Sequence, residues 1–194
     1  MFRNLYRNLP NLFTAARLAL VPVVAAEVLG GNFRAALALT MLAGCTDGVD
    51  GFLARRFGWT SRLGAWLDPL ADKALLVTLF LTLGRVGAFP WWLVALVLAR
   101  DAIILLMVGA AFAFTAIRDF PPSIWGKLST LVQVGACVGV LFVRATPFSS
   151  TPAVGGFLVA ATTLATGWSG IDYVRLGAIR WRRERARQVR VDAK

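Results

Sequence analysis

Residues 46–73 read TDGVDGFLARRFGWTSRLGAWLDPLADK and hold four of the ten acids in this 194-residue chain: Asp47, Asp50, Asp68 and Asp72. The sequence on either side is apolar over long runs. In such surroundings a carboxylate is expensive to keep, and its presence marks a functional position. The spacing within each pair is three or four residues, which puts both members on one face of a helix.

Working outward, 58% of the residues are hydrophobic and the mean hydropathy is +0.67. That is one domain in length but too apolar for an ordinary soluble domain, so the expected class is an integral membrane protein. A formal net charge of +11 could suit nucleic acid. No polar domain exists to carry such a site, however, and the basic residues flank apolar runs, so anionic membrane lipids are the expected partner and nucleic acid is not. Cys45 and Cys137 lie in apolar segments and read as small packing residues rather than a disulfide or zinc framework. The N-terminus, MFRNLYRNLPN, lacks a small-residue cleavage site after a short apolar run and reads as mature protein.

Apolar runs of about 20 residues, enough to cross a bilayer as helix, occur six times: 10–29, 33–53, 64–83, 91–117, 123–143 and 152–179. Pro10 suits a first helical turn, and Gly30-Gly31-Asn32 a stop. The positive-inside rule tests the division. Arg55, Arg56, Arg62 and Arg118 share a side with both termini, which carry Arg3, Arg7 and the segment RWRRERARQVRVDAK; the other side has Arg34, Arg85 and Arg144. The expectation is therefore an all-α polytopic membrane protein with six transmembrane helices and both termini cytoplasmic. Residues 1–180 form the membrane domain and 181–194 a basic cytoplasmic tail. Trp91, Trp92, Trp125, Trp168 and Trp181 fall near span ends, as in an aromatic belt.

In this topology the second helix runs toward the cytoplasm and the third away from it, so both aspartate pairs reach similar depth. Four carboxylates gathered at low dielectric repel one another unless cations are bound. An oxygen-only donor set without His or Cys nearby points to Mg²⁺ or Mn²⁺. Gly48, Gly51 and Gly64 open the same region to a ligand, and Arg55 is placed to meet a phosphate. The plainer readings are Asp68 as a helix N-cap and Asp72 as a partner of Lys73 or Arg62. They account for single residues and not for four acids with matched glycines.

Written D-x-x-D-G-x-x-A-R-x8-G-x-x-x-D-x-x-x-D, the positions Asp47, Asp50, Gly51, Ala54, Arg55, Gly64, Asp68 and Asp72 resemble the signature of the CDP-alcohol phosphotransferase family without a departure. The opening NLPNLFTAARLALVP is similar to the first helix of its phosphatidylglycerophosphate synthase and cardiolipin synthase branches. The resemblance implies transfer of a phosphatidyl group from CDP-diacylglycerol to an alcohol, with release of CMP. It implies that Asp47, Asp50 and Asp68 bind two metal ions, with Asp72 sharing a metal or acting as the base. Gly51, Ala54, Gly64 and Arg55 would flank the CDP group. It also implies a homodimer and a bacterial inner membrane, with the site facing the cytoplasm.

Cations for the acceptor are expected at Arg100, Arg118 and Lys127, although Arg100 could equally be a structural partner of Asp101 and Lys127 a snorkelling residue. Arg100 and Asp101 are followed by no second arginine two turns on, which resembles the cardiolipin synthases, whose acceptor is phosphatidylglycerol, more than the enzymes that use glycerol-3-phosphate. Inositol phosphate, serine and choline remain open. From other classes, an ion-coupled transporter would show a repeated aspartate pattern, absent from the last three runs, and a non-catalytic scaffold would need no complete signature. Gly135-x-x-x-Gly139 could pack a partner helix.

Overall fold

The computed structural model describes residues 2–57, 62–114, 123–146 and 152–192, with side chains within 14–46, 67–107, 109, 123–146 and 153–179. The described residues form six α-helices and no strand: α1 Phe2–Leu29, α2 Phe33–Phe57, α3 Arg62–Arg85, α4 Trp91–Phe114, α5 Ile124–Ala145 and α6 Pro152–Asp192. The all-α expectation holds, and the six runs correspond to the six helices in order.

Two interhelix turns follow directly from glycine. Gly31 has φ +77, its N–H donates to the Val28 carbonyl, and the Asn32 N–H donates to the Glu27 carbonyl at 2.9 Å. This pair of bonds satisfies carbonyls left over at the end of α1. The same pattern ends α3, with Gly87 at φ +70 and Ala88 N–H donating to the Leu83 carbonyl at 2.8 Å. After the first turn, the Asn32 side chain accepts from the Ala35 N–H and caps α2.

Three boundaries differ from expectation. First, α1 begins at Phe2, so Pro10 lies inside it rather than in its first turn; Phe2, Leu5, Tyr6, Leu9 and Phe13 continue the spacing of three and four that sustains a helix. Second, α6 runs to Asp192, so the segment read as a tail continues the helix. From Ile179 on there is no Gly or Pro, and Arg, Glu, Ala and Gln favour helix. Third, α3 begins at Arg62, two residues before the expected 64, so Asp68 lies within the helix as expected and the N-cap alternative does not hold.

The chain divides into two compact units, 1–91 with 134–158 and 92–133 with 159–194. In the first, α1 packs on α2 and α3, with Val24, Val28, Ala36, Ala43, Leu79, Phe80 and Leu83 buried. Phe80 stacks on Phe89 with centroids 5.2 Å apart. Cys137 is buried in this unit as expected, whereas Cys45 is exposed and packs no core. Gly139 lies against Leu158 of the same chain and Gly135 faces open space.

The second unit buries a polar stripe of α6 as well as Leu93, Val94 and Val97 of α4. Thr162, Thr166 and Ser169 on α6 are fully buried, while Leu164 is 74% exposed and Ile171 67%. The buried residues recur every three or four positions, so one helix turns its polar stripe inward and its apolar face outward. Gln133 of α5 donates to Thr166 at 3.0 Å. Trp125 meets Trp168 edge-on, centroids 5.8 Å apart, and both remain exposed, as do Trp91 and Trp92. Trp181 lies outside the described side chains. Among the described residues, Ile124–Ala145 and Ala153–Ile179 are long and apolar enough to cross a membrane.

Candidate functional site

The first unit joins the end of the opening stretch to α1. The Thr14 hydroxyl donates to Oδ1 of Asp68, and Nη1 of Arg17 donates to Oδ1 of Asp72 at 2.7 Å as an ion pair. Thr14 and Arg17 are three apart on α1, and Asp68 and Asp72 four apart on α3, so each pair presents one helical face. The contacts ascend both helices together, 14 with 68 and 17 with 72, so α1 and α3 run in the same direction here. That is the relation two helices have when a third returns between them.

Burial distinguishes the partners. Thr14 is 1% exposed and Arg17 2%, while the Asp72 side chain is 51% exposed. The donors are thus fixed within the helix packing, and the Asp72 carboxylate reaches outward. A guanidinium that is charged and buried needs such a partner. Pro69 between the two acids has no N–H for the carbonyl of residue 65, which loosens α3 by one helical bond beside Asp68.

Of the remaining signature positions, Asp47, Asp50, Gly51, Ala54 and Arg55 have helical backbone in α2, and Gly64 in α3. Their side chains lie outside the described residues, as does Arg118 altogether. Among the described residues no three of His, Cys, Asp and Glu gather as a metal site. Asp68 and Asp72 nevertheless supply hard carboxylate oxygens on one face of α3, the donor chemistry that suits Mg²⁺ or Mn²⁺.

Thr14 and Arg17 are site neighbours that the sequence pattern does not single out. The readable signal is Arg17 itself, a charge within the first apolar run and absent from the positive-inside count. A charge at such a position requires a named partner.

Of the cations expected for an acceptor, Arg100 and Lys127 lie in the second unit. Arg100 and Asp101 are both buried; Arg100 Nη1 donates to Asp101 Oδ1 at 2.9 Å and Nη2 to Ser169 Oγ at 2.5 Å. Its guanidinium lies 5.6 Å from the centroid of the Tyr173 ring. Beside this cluster, Ser123 donates to Asp172 at 2.5 Å and its backbone N–H to the Tyr173 hydroxyl at 3.4 Å. Lys127 is exposed on α5. The pairing of Arg100 with Asp101 is the structural alternative named above.

Comparison with known proteins gives a consistent assignment. The family model described as CDP-alcohol phosphatidyltransferase matches residues 7–168. A Mycobacterium tuberculosis protein named "Probable phosphatidylglycerophosphate synthase" is 38% identical over 175 residues, covering 86% of this chain and 80% of its own length. An Aquifex aeolicus protein named "CDP-diacylglycerol--glycerol-3-phosphate 3-phosphatidyltransferase" is 36% identical over 129 residues, 64% of this chain and 70% of that one. A Drosophila melanogaster protein named "Probable cardiolipin synthase (CMP-forming)" is 34% identical over 130 residues, 66% of this chain and 39% of that one. The matched region takes in both α1 donors and all four aspartates, and on it the chain belongs to the CDP-alcohol phosphatidyltransferase family, whose members are transferases.

Proposed function

We propose that this protein is a membrane-embedded phosphatidyltransferase of phospholipid synthesis. It transfers the phosphatidyl group of CDP-diacylglycerol to an alcohol. The observation that carries the reading is the hold of α1 on α3: Thr14 on Asp68 and Arg17 on Asp72, the last two acids of an eight-position signature.

In this reading the acceptor oxygen bonds the β-phosphorus of the CDP group. The bond from that phosphorus to the CMP oxygen breaks, and CMP leaves. The Asp72 carboxylate, half exposed and oriented by Arg17, takes the hydroxyl proton. Asp47, Asp50, Asp68 and Asp72 are the residues that would hold Mg²⁺ or Mn²⁺, taken as two ions. Such ions when bound neutralise pyrophosphate and stabilise a departing phosphate. Gly51, Ala54, Gly64 and Arg55 are assigned to the CDP group. Lys127, Arg118 and Arg100 are assigned to the acceptor, with Lys127 the exposed one of the described two and Arg100 already engaged by Asp101 and Ser169.

Six spans with both termini in the cytoplasm, in a bacterial inner membrane, form the proposed setting. The inward polar stripe of α6 and its outward Leu164 and Ile171 support it, because lipid inverts the arrangement that water imposes. The parallel run of α1 and α3 agrees with alternating spans. A homodimer belongs to the same reading.

Two acceptors have support of equal weight. Phosphatidylglycerol is favoured by the sequence after Arg100-Asp101, which contains no further cation up to Gly109. Glycerol-3-phosphate is favoured by the names of the Mycobacterium and Aquifex relatives. Purified protein with CDP-diacylglycerol and Mg²⁺, given each acceptor separately, separates them by product mass. Cardiolipin identifies the first and phosphatidylglycerophosphate the second. No CMP release with either of these, nor with inositol phosphate, serine or choline, would overturn the proposal.

A further inference from the structure

The first unit contains a second cluster, formed where the α1–α2 turn meets the end of α5. A cavity of about 340 Å³ is lined there by Asn32, Phe33, Arg34, Arg144 and Thr146, among others. Arg34 Nε donates to the Ala145 carbonyl at 3.0 Å. The Arg144 guanidinium lies over the Phe33 ring, 5.7 Å from its centroid. Both arginines are exposed, and among the described residues neither has an acidic partner.

These contacts fix the two guanidiniums without consuming them. Arginine has five N–H donors; the carbonyl takes one from Arg34, and the ring contact takes none from Arg144. Two like charges are therefore anchored around one cavity, at the positive end of α2. A structural role accounts for the Arg34 tether to α5 and for Arg144 in the last turn of α5, yet leaves most N–H donors of both guanidiniums unspent at the cavity they line. Arg34 and Arg144 are also two of the three arginines expected on the side that the positive-inside rule keeps poor in positive charge.

We infer that this cavity binds the phosphate oxyanion of an anionic glycerophospholipid. Guanidinium groups match phosphate oxygens in geometry and charge. Lipid is favoured over free phosphate by exposed apolar side chains next to the lining residues: Phe142, one helical turn before Thr146, and Leu29, at the end of α1 just before Gly31. A headgroup in the cavity would leave its acyl chains along these side chains. The site lies outside the signature and does not depend on the reaction proposed above; it rests on the membrane setting of that reading.

The test is native mass spectrometry of the full-length protein in a neutral detergent. Dioleoyl phosphatidic acid is the anionic probe, chosen because it has no alcohol to serve as acceptor, and dioleoyl phosphatidylcholine is the neutral control. Each arginine near anionic lipid contributes about fivefold in affinity, equivalent to about 1 kcal/mol. Arg34→Gln/Arg144→Gln is therefore expected to lose on the order of thirtyfold for phosphatidic acid and nothing for phosphatidylcholine. Arg34→Lys/Arg144→Lys should retain most binding, and Arg85→Gln all of it. If the double Gln variant does not fold, Arg144→Gln alone, which breaks no backbone hydrogen bond, should lose about fivefold. Equal binding by the parent and Arg144→Gln, or an equal loss in Arg85→Gln, would overturn the inference. Inorganic phosphate that stabilises the parent while phosphatidic acid does not bind would overturn the lipid assignment.

Discussion

Arg17 of α1 and Asp72 of α3 form an ion pair at 2.7 Å in which the cation is buried and the carboxylate half exposed. The asymmetry matters because the buried member sets the position and the exposed member is left to meet a ligand. Removing the charge from Arg17 leaves the Asp72 carboxylate half exposed rather than sealed in the interior, so the loss in stability is moderate. Arg17→Gln should lower unfolding stability by about 1–3 kcal/mol, the range for a hydrogen bond to a charged group. CMP release should fall roughly tenfold or more through misplacement of Asp72. Arg17→Lys should recover part of both. Thermal unfolding in detergent and a CMP-release assay are the measurements.

Thr14 is expected to act on Asp68 by orientation. Groups that hydrogen-bond a metal ligand typically change metal affinity about 10- to 100-fold when removed. Thr14→Val, close in shape but without the hydroxyl, should weaken Mn²⁺ binding by about tenfold in a calorimetric titration. Thr14→Ser, which keeps the donor, should stay near the parent. Equal affinity in Thr14→Val would show that the hydroxyl does not position Asp68 for a metal.

In the second unit two glycines of α5 and α6 give opposite expectations. A methyl group on Gly126 would come within 2.8 Å of the Tyr173 ring, which also contacts Arg100 and Ser123. Gly126→Ala should therefore cost about 1–3 kcal/mol by overpacking. At Gly177 the neighbour is the terminal methyl of Met107, the free end of a flexible side chain. Gly177→Ala should be neutral or stabilising by up to about 1 kcal/mol through helix propensity. Thermal unfolding of the two variants side by side checks the contrast.

Arg100 and Asp101 are buried together, so removing one partner should cost more than removing both. Arg100→Leu should destabilise by about 3–5 kcal/mol, and Arg100→Leu/Asp101→Leu by substantially less. The double variant separates packing from substrate binding: if Arg100 contacts the acceptor, KM for that acceptor rises while the KM for CDP-diacylglycerol stays unchanged.

Much of this architecture was legible in the sequence, for identifiable reasons. Gly30-Gly31-Asn32 marks the first turn because Gly31 needs a positive φ that few residues adopt. The run lengths placed α2 to α5 because apolar stretches of that size have few other uses. The start of α1 and the length of α6 were not legible from hydropathy: α1 reaches back through Pro10 to Phe2, and α6 continues through polar residues in which Gly and Pro are absent. The partners of the aspartates were harder still. In lipid, an apolar side chain such as Leu79 or Phe80 singles out no partner helix, because the solvent is as apolar as the core. Only an out-of-place charge such as Arg17 or Arg100 identifies which helices meet, and its partner must come from the structure.

The most direct measurement is CMP release by Asp72→Asn, taken together with binding of CDP-diacylglycerol to the same variant. Asparagine keeps a hydrogen-bond acceptor for Arg17 but is no base. The expected result is loss of turnover by about a thousandfold or more, within the range for a general base, with CDP-diacylglycerol affinity close to that of the parent. An Asp72→Asn protein that releases CMP at the parental rate would contradict the assignment of Asp72 as the base of a phosphatidyl transfer.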